Sequence, residues 1–303
     1  MVSSDFKYYV KIFLAITFWA SLYHIAPIPL GYVDLYMVAF IRYIFAAVIL
    51  IVMHYFYTKI FFPKLTSRQW LYVFGVGFFG IFMYNIVFLW AEEIISGNII
   101  SIIYAFSPCL ITVMSSYMFK NKISQQARLG ILVALVGAIG VVLFAPKNPD
   151  SCPVNVTVGL GETLSVLAVI FFSIYAVFGK CAAHDGVKMI TVNMYAAVIG
   201  AVMFGIVTIF KSDYSKLADT DYIFWVSMLY IAIFATVVAY VWYLQSIEHL
   251  GVYKTAIFQN TLPFQTIIIG FILYAQTVSP MVFLLGGVVF LGVYITNVAV
   301  NKG

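Results

Sequence analysis

Apolar residues run through this chain in long unbroken stretches, separated by short polar or turn-forming clusters. Ten stretches stand out, at residues 8–27, 34–57, 70–91, 95–118, 127–145, 160–180, 189–210, 222–246, 252–275 and 280–300. The breaks carry turn chemistry, as in Pro27-Ile28-Pro29-Leu30-Gly31, Ser96-Gly97-Asn98 and the run from Ala145 to Asp150. A helix needs about 20 apolar residues to cross the hydrocarbon core of a bilayer. A barrel strand would instead alternate apolar and polar over about ten residues. Runs such as Met281 to Val300 do not alternate. The pattern therefore predicts an all-α integral membrane protein of ten transmembrane helices.

Composition agrees. Of 303 residues, 64% are hydrophobic and 9% are charged, whereas soluble domains carry about 25% charged residues. Too few charges remain to coat a water-soluble globule. That excludes a soluble enzyme, a nucleic-acid-binding domain and a disordered chain. Lys7 and Lys11 precede the first stretch as in a signal peptide, but no small-x-small cleavage site follows. The first stretch is read as a helix.

The net charge of +5 gains meaning from its placement. With a cytoplasmic N-terminus, Lys7, Lys11, Lys59, Lys64, Arg68, Lys120, Lys122, Arg128, Lys180, Lys188, Lys254 and Lys302 lie inside. Only Lys147, Lys211 and Lys216 lie outside, and Arg42 falls within a span. Positive loops stay in the cytoplasm, so both termini are expected there, in a multi-pass protein of the cell (inner or plasma) membrane.

The outer loop at 146–159 divides the chain into residues 1–145 and 160–303, with five helices each. A shift of 155 residues superposes Glu93 on Glu248, Pro108 on Pro263, Ser124 on Ser279 and Gly137 on Gly292. A shift of 153 brings Trp19 onto Phe172. Five is odd, so the second half enters the membrane with opposite orientation. Inverted repeats are a recurring architecture of secondary transporters.

The stretch Gly97 to Ile123, with Ser107-Pro108 at its middle, is followed by Gly130 and Gly137-Ala138-Ile139-Gly140-Val141. Val252 to Val293 repeats the scheme with Leu262-Pro263 and Gly286-Gly287. Together with Trp19-Ala20-Ser21 and Arg42, these residues resemble the EamA family of the drug/metabolite transporter superfamily. The resemblance implies two inverted five-helix EamA repeats, with helices one, three, four, six, eight and nine around a central cavity, and a small metabolite such as an amino acid as cargo. An acidic residue the family often carries after helices four and nine is replaced here by Asn121 and Gln276.

Candidate binding residues follow from intramembrane polarity. Arg42 is the one charged residue deep in a span; its fork suits a carboxylate or phosphate, and a structural bond to neighbouring backbone is the alternative. Pro108 and Pro263 each free a backbone carbonyl at equivalent positions. Tyr104 shares a helix face with Pro108, as does Gln259 with Pro263, and Asn260 sits beside them. Asn85 is assigned to the cavity, and Asn193 to packing. Trp19, Tyr84, Tyr175 and Trp242 could stack on a substrate. Glu93, Glu162 and Glu248 are candidates for gating or proton coupling, with solvated helix ends as the alternative. Gly130, Ala134 and Ala138 step by four, as in a close internal contact or a homodimer seam.

Cys109, Cys152 and Cys181, with four scattered His, show no metal-ligand spacing, and no cofactor is expected. No nucleotide-binding loop is present. The expected function is alternating-access transport of a small polar metabolite, without enzymatic activity. The rival readings are a membrane-embedded enzyme on lipid-linked substrates and a non-transporting channel or scaffold subunit. The expected partners are a small-molecule substrate and the lipid bilayer, with a homodimer left open, and no nucleic acid.

Overall fold

The computed structural model describes residues 2–120, 123–144, 158–250, 258 and 261–300. Among them nine helices are long and apolar enough to cross a membrane: α1 (Phe6–Leu30), α2 (Leu35–Thr58), α3 (Ser67–Glu92), α4 (Gly97–Phe119), α5 (Gln125–Phe144), α6 (Leu160–His184), α7 (Met189–Lys211), α8 (Tyr222–Tyr243, helical on to Leu250) and α10 (Pro280–Ala299). The shorter apolar helix α9 (Leu262–Tyr274) lies between α8 and α10. No strand occurs among the described residues.

Helix starts at the membrane edge are built by side chains. The Asp34 carboxylate accepts from the amides of Tyr36 and Met37 at 3.0 and 3.1 Å and from the Ser212 hydroxyl at 2.8 Å. Thr66 and Gln69 form a reciprocal capping box on α3. Asp221 accepts from the amides of Ile223 and Phe224. Those amides, first that of Phe224, hold its carboxyl below the usual carboxylate range. Each bond satisfies a first-turn amide that has no partner within its own helix.

The second half repeats the first in backbone detail. The α3 backbone widens into π-helix over Val76–Met83, and α8 does so over Ile231–Val238, an offset of 155 residues. α4 breaks before Ser107–Phe119, and α9 begins at Leu262 and ends at Tyr274, the same offset again. Even the left-handed residues that end these helices correspond, Lys120 at φ 53° and Ala275 at φ 50°. A non-glycine residue in that conformation costs about 1 kcal/mol. Ala275→Gly is therefore expected to raise stability by about 1 kcal/mol, read as a higher thermal unfolding midpoint in detergent.

Packing is exchanged between the halves. α2 pairs with α7 and α5 with α10, while α1 lies against α8 and α3 against α6. Trp19 of α1 donates from Nε1 to the Ala235 carbonyl in the α8 π-segment at 3.1 Å. In the other half Tyr175 of α6 lies over Gly80, the mate of Ala235, where a Cβ would stand 2.0 Å from the ring. The α5–α10 seam is the tightest backbone contact. Gly130 faces Thr296 and the Gly292 carbonyl, and Gly137 faces Val289. Ala134 is fully buried there and Ala138 nearly so. The Gly130, Ala134 and Ala138 stripe is thus spent on an internal contact. Large apolar side chains, Tyr117 and Phe210 among them, cover the outward faces, as lipid contact requires.

Candidate functional site

A cavity of about 410 Å³ lies at the centre of the bundle, in the size range of small-molecule pockets. Its wall draws on α1, α3, α4, α6, α8 and α9, and also on α2, α7 and α10 through Arg42, Asn193 and Asn297. The six-helix lining implied by family resemblance is therefore too narrow. Arg42 lies on α2, so a six-helix lining would leave out the one charge in the wall.

Arg42 is 5% exposed. Its Nε donates to the Thr236 hydroxyl at 2.9 Å, and one terminal nitrogen donates to Asn85 Oδ1 at 3.2 Å. Thr236 in turn donates to the Ile231 carbonyl, across five residues of the α8 π-segment, at 2.9 Å. Asn85 donates to the Ile81 carbonyl in the α3 π-segment at 2.7 Å and to the Tyr43 hydroxyl at 2.9 Å. The guanidinium thus bridges the two widened segments. Widened turns expose carbonyls that ordinary helix would occupy, and they recur at functional sites. No carboxylate pairs with Arg42; among the described residues the one salt bridge joins Arg68 to Asp185. Five N–H donors sit on a guanidinium, so two bonds leave donors for a ligand.

Aromatic rings form another part of the wall, among aliphatic and small polar side chains. Tyr104 and Phe172 have ring centroids 4.9 Å apart, Phe172 and Tyr175 5.3 Å, and Tyr84 and Phe172 5.8 Å. On the facing side Trp19 lies 5.2 Å from Tyr240 and 5.1 Å from Tyr243. No Asp or Glu among the described residues lines this cavity. Among the described residues no cluster of His, Cys, Asp and Glu could hold a metal.

Of the expected binding residues, Trp19, Arg42, Tyr84, Tyr104, Pro108 and Tyr175 line the cavity. Asn85 is fully buried and holds Arg42. Pro263 is buried, one residue past the lining Leu262. Trp242 lies away from the cavity wall, beside Phe18. Asn193 lines the cavity rather than serving only as packing. Gln259, Asn260 and the Glu248 side chain lie outside the described residues.

Glu93 is exposed at the outer end of α3; partial desolvation and then Asp34 push its carboxyl above the ordinary range. Glu162 is 1% exposed, with one oxygen unpartnered. Thr236, Tyr240 and Tyr243 line the wall without having been singled out in the sequence. The 155-residue register pointed to one of them, since Tyr240 is the mate of Asn85.

The sequence profile of the EamA-like transporter family matches this chain twice, over residues 6–143 and 159–298. The chain is 26% identical over 254 residues to the uncharacterized transporter YyaM of Bacillus subtilis (strain 168), covering 84% of this chain and 82% of that one. It is 23% identical over 300 residues to the uncharacterized transporter YetK of the same organism, covering 98% and 88%. An uncharacterized transporter of Archaeoglobus fulgidus is 22% identical over 289 residues, covering 95% and 98%. A crystal structure of 15% sequence identity shares the fold over 98% of both chains, with a TM-score of 0.62. Ten apolar helical segments, the doubled backbone plan and the doubled profile match agree: the chain belongs to the EamA-like transporter family.

Proposed function

We propose that this protein is a secondary transporter for a small zwitterion of the amino-acid class, moved by alternating access. The observation that carries the reading is Arg42, a buried cation with unused donors on the wall of a cavity that also presents several aromatic rings. A guanidinium recognises a carboxylate in two-pronged fashion. Aromatic faces attract an ammonium group, by about 0.5 to 2 kcal/mol depending on desolvation. One ligand end thus has an anchor and the other a cage. The absence of a carboxylate among the described lining residues argues against a polyamine. A single cation is a weak match for the several charges of a nucleotide sugar.

Orientation supports inward access. With the basic loops in the cytoplasm, Leu50, Asn193 and Asn297 lie towards the inner ends of their helices, and all three line the cavity. The outer side is packed. Tyr23 is 4% exposed and meets Phe88 edge-on at 5.5 Å. Gly97 lets α4 approach so closely that a Cβ there would stand 2.3 Å from the Tyr23 carbonyl oxygen. The exchanged packing of the halves is what an inverted repeat needs to present the same site to either side.

A thermal-shift panel on the detergent-purified protein tests the cargo class. A ligand at about 100 times its dissociation constant adds about 2.7 kcal/mol to the folded state. Stabilisation by amino acids, lost on esterifying the carboxylate or acetylating the amine, is the expected result. Exchange of the same compound across proteoliposomes must follow. Stabilisation by sugar phosphates or nucleotide sugars in place of amino acids would overturn the cargo assignment, and binding without exchange would overturn transport.

A further inference from the structure

A second pocket, also of about 410 Å³, lies on the far side of Tyr23 from the central cavity. It is bounded by Pro27 and Ile28 in the last turn of α1, by Ser96 and Gly97 at the start of α4, and by Gln276 after α9. In the basic-inside orientation all of these lie at the outer face. Glu92 lines it. That carboxyl is 6% exposed, and neither of its oxygens has a hydrogen-bond partner. No Lys or Arg is among the described residues that line the pocket, although the His24 imidazole is. An ionised carboxylate without partner or counter-ion is not tolerated in such a place; the group neutralises instead. Burial of both oxygens without a partner favours the protonated carboxyl at Glu92 in this outward-closed arrangement.

We propose that Glu92 is a proton-binding site whose occupancy closes the outer gate at Tyr23. This rests on the alternating-access reading. The proton comes from the external aqueous phase through the outer pocket and binds a Glu92 carboxylate oxygen as α1 closes onto α4. When the gate opens and water enters, the proton returns to the external phase and the carboxylate is hydrated. No proton passes Tyr23 in this cycle, and no other group is consumed. The outer gate then responds to external pH, closing as pH falls. Glu93, the repeat mate of Glu248, is exposed, so closing the gate desolvates it less than Glu92.

Other groups that face Glu92 could titrate. α1 supplies Tyr23 and His24, α9 supplies Tyr274, and α3 itself supplies Tyr84 and Glu93. α6, packed against α3, carries Glu162. His24 has its own role, with Nε2 on the Thr266 carbonyl at 2.8 Å, and its imidazole is a second ionisable group in the pocket wall. The test must separate it from Glu92.

The reporter is Ala26→Cys, at a position 1% exposed at the outer end of α1, in a chain with Cys109, Cys152 and Cys181 changed to alanine. Its rate of modification by a membrane-impermeant maleimide is measured in cells from about pH 5.5 to about pH 8.5, a range that spans the raised values seen for buried carboxyls. Rates are corrected for thiolate content with an exposed cysteine control. With Glu92 present, the corrected rate is expected to rise with pH by up to about tenfold per unit, the slope for one proton. Glu92→Gln mimics the protonated form and is expected to stay slow throughout. Glu92→Asp keeps a titratable group and is expected to keep a pH response with a displaced midpoint, which shows that the site still folds. His24→Gln and Glu93→Gln are expected to keep the response. A flat profile with Glu92 intact overturns the proposal, and so does an unchanged profile in Glu92→Gln or its loss in His24→Gln. No substrate enters this measurement, so a wrong cargo assignment leaves its outcome intact.

Discussion

Arg42→Ala is expected to weaken cargo binding by about 100-fold or more. Truncating one partner of a buried charge pair costs about 2 to 5 kcal/mol, and 2.7 kcal/mol is a factor of 100. The loss falls chiefly on the ligand because the wall behind Arg42 keeps its other bonds, although Asn85 Oδ1 loses its donor. Asn85 keeps its bonds to Tyr43 and the Ile81 carbonyl, and Thr236 keeps its bond to the Ile231 carbonyl. The unliganded protein also loses a buried cation that no carboxylate offsets, so its unfolding midpoint should hold or rise. Arg42→Lys is expected to recover only part of the affinity. A lysine restores the charge but not the fork that reaches Thr236 and Asn85 while facing the cavity. Calorimetric titration with the amino acid identified by the thermal panel measures both variants. Affinity within twofold of the parent protein in Arg42→Ala would make Arg42 a structural brace between the two π-segments and nothing more.

That brace marks where sequence reading stops. The ten spans, the offset of 155 residues and the paired proline breaks are legible because each rests on local chemistry: length of apolar run, turn residues, a missing amide. The π-segments are not. Val76–Met83 and Ile231–Val238 have the composition of any membrane helix. Only the paired small residues, Gly77 with Ala232 and Gly80 with Ala235, set them apart in hindsight. Arg42 stood out as a charge in a span, but its partner Thr236 lies 194 residues away on the other half. No spacing rule connects them.

The acidic pair shows a different failure. Glu93 drew attention because it superposes on Glu248, while Glu92 superposes on Ile247. Neighbours on a helix point about 100° apart, so one of the two faces the bundle and the other the solvent. The structure buries Glu92, the residue without a repeat mate of its own kind. Symmetry in sequence reports shared architecture. A group that acts on one side of the membrane has no reason to be doubled.

The largest effect on stability is expected at Gly292. A Cβ there would stand 2.2 Å from the Ala134 amide nitrogen and 2.6 Å from the Gly130 carbonyl oxygen. Both are backbone atoms within α5, so neither can swing aside. Relief requires α5 and α10 to separate along the whole seam that Gly130, Gly137, Val289 and Thr296 share. Overpacking with room to adjust costs about 1 to 3 kcal/mol. Gly292→Val should exceed that and lower the thermal unfolding midpoint in detergent markedly, with Gly292→Ala intermediate. Gly287→Val is the control, since a Cβ at Gly287 meets nothing within 4 Å; its midpoint should match the parent within a degree or so. Both substitutions add the same branched side chain to the same helix, so propensity and hydrophobicity cancel between them. A difference in melting then measures the seam alone. Equal midpoints would mean that α10 does not rest on α5 as described, and that the small-residue stripe is free to face a second copy of the chain.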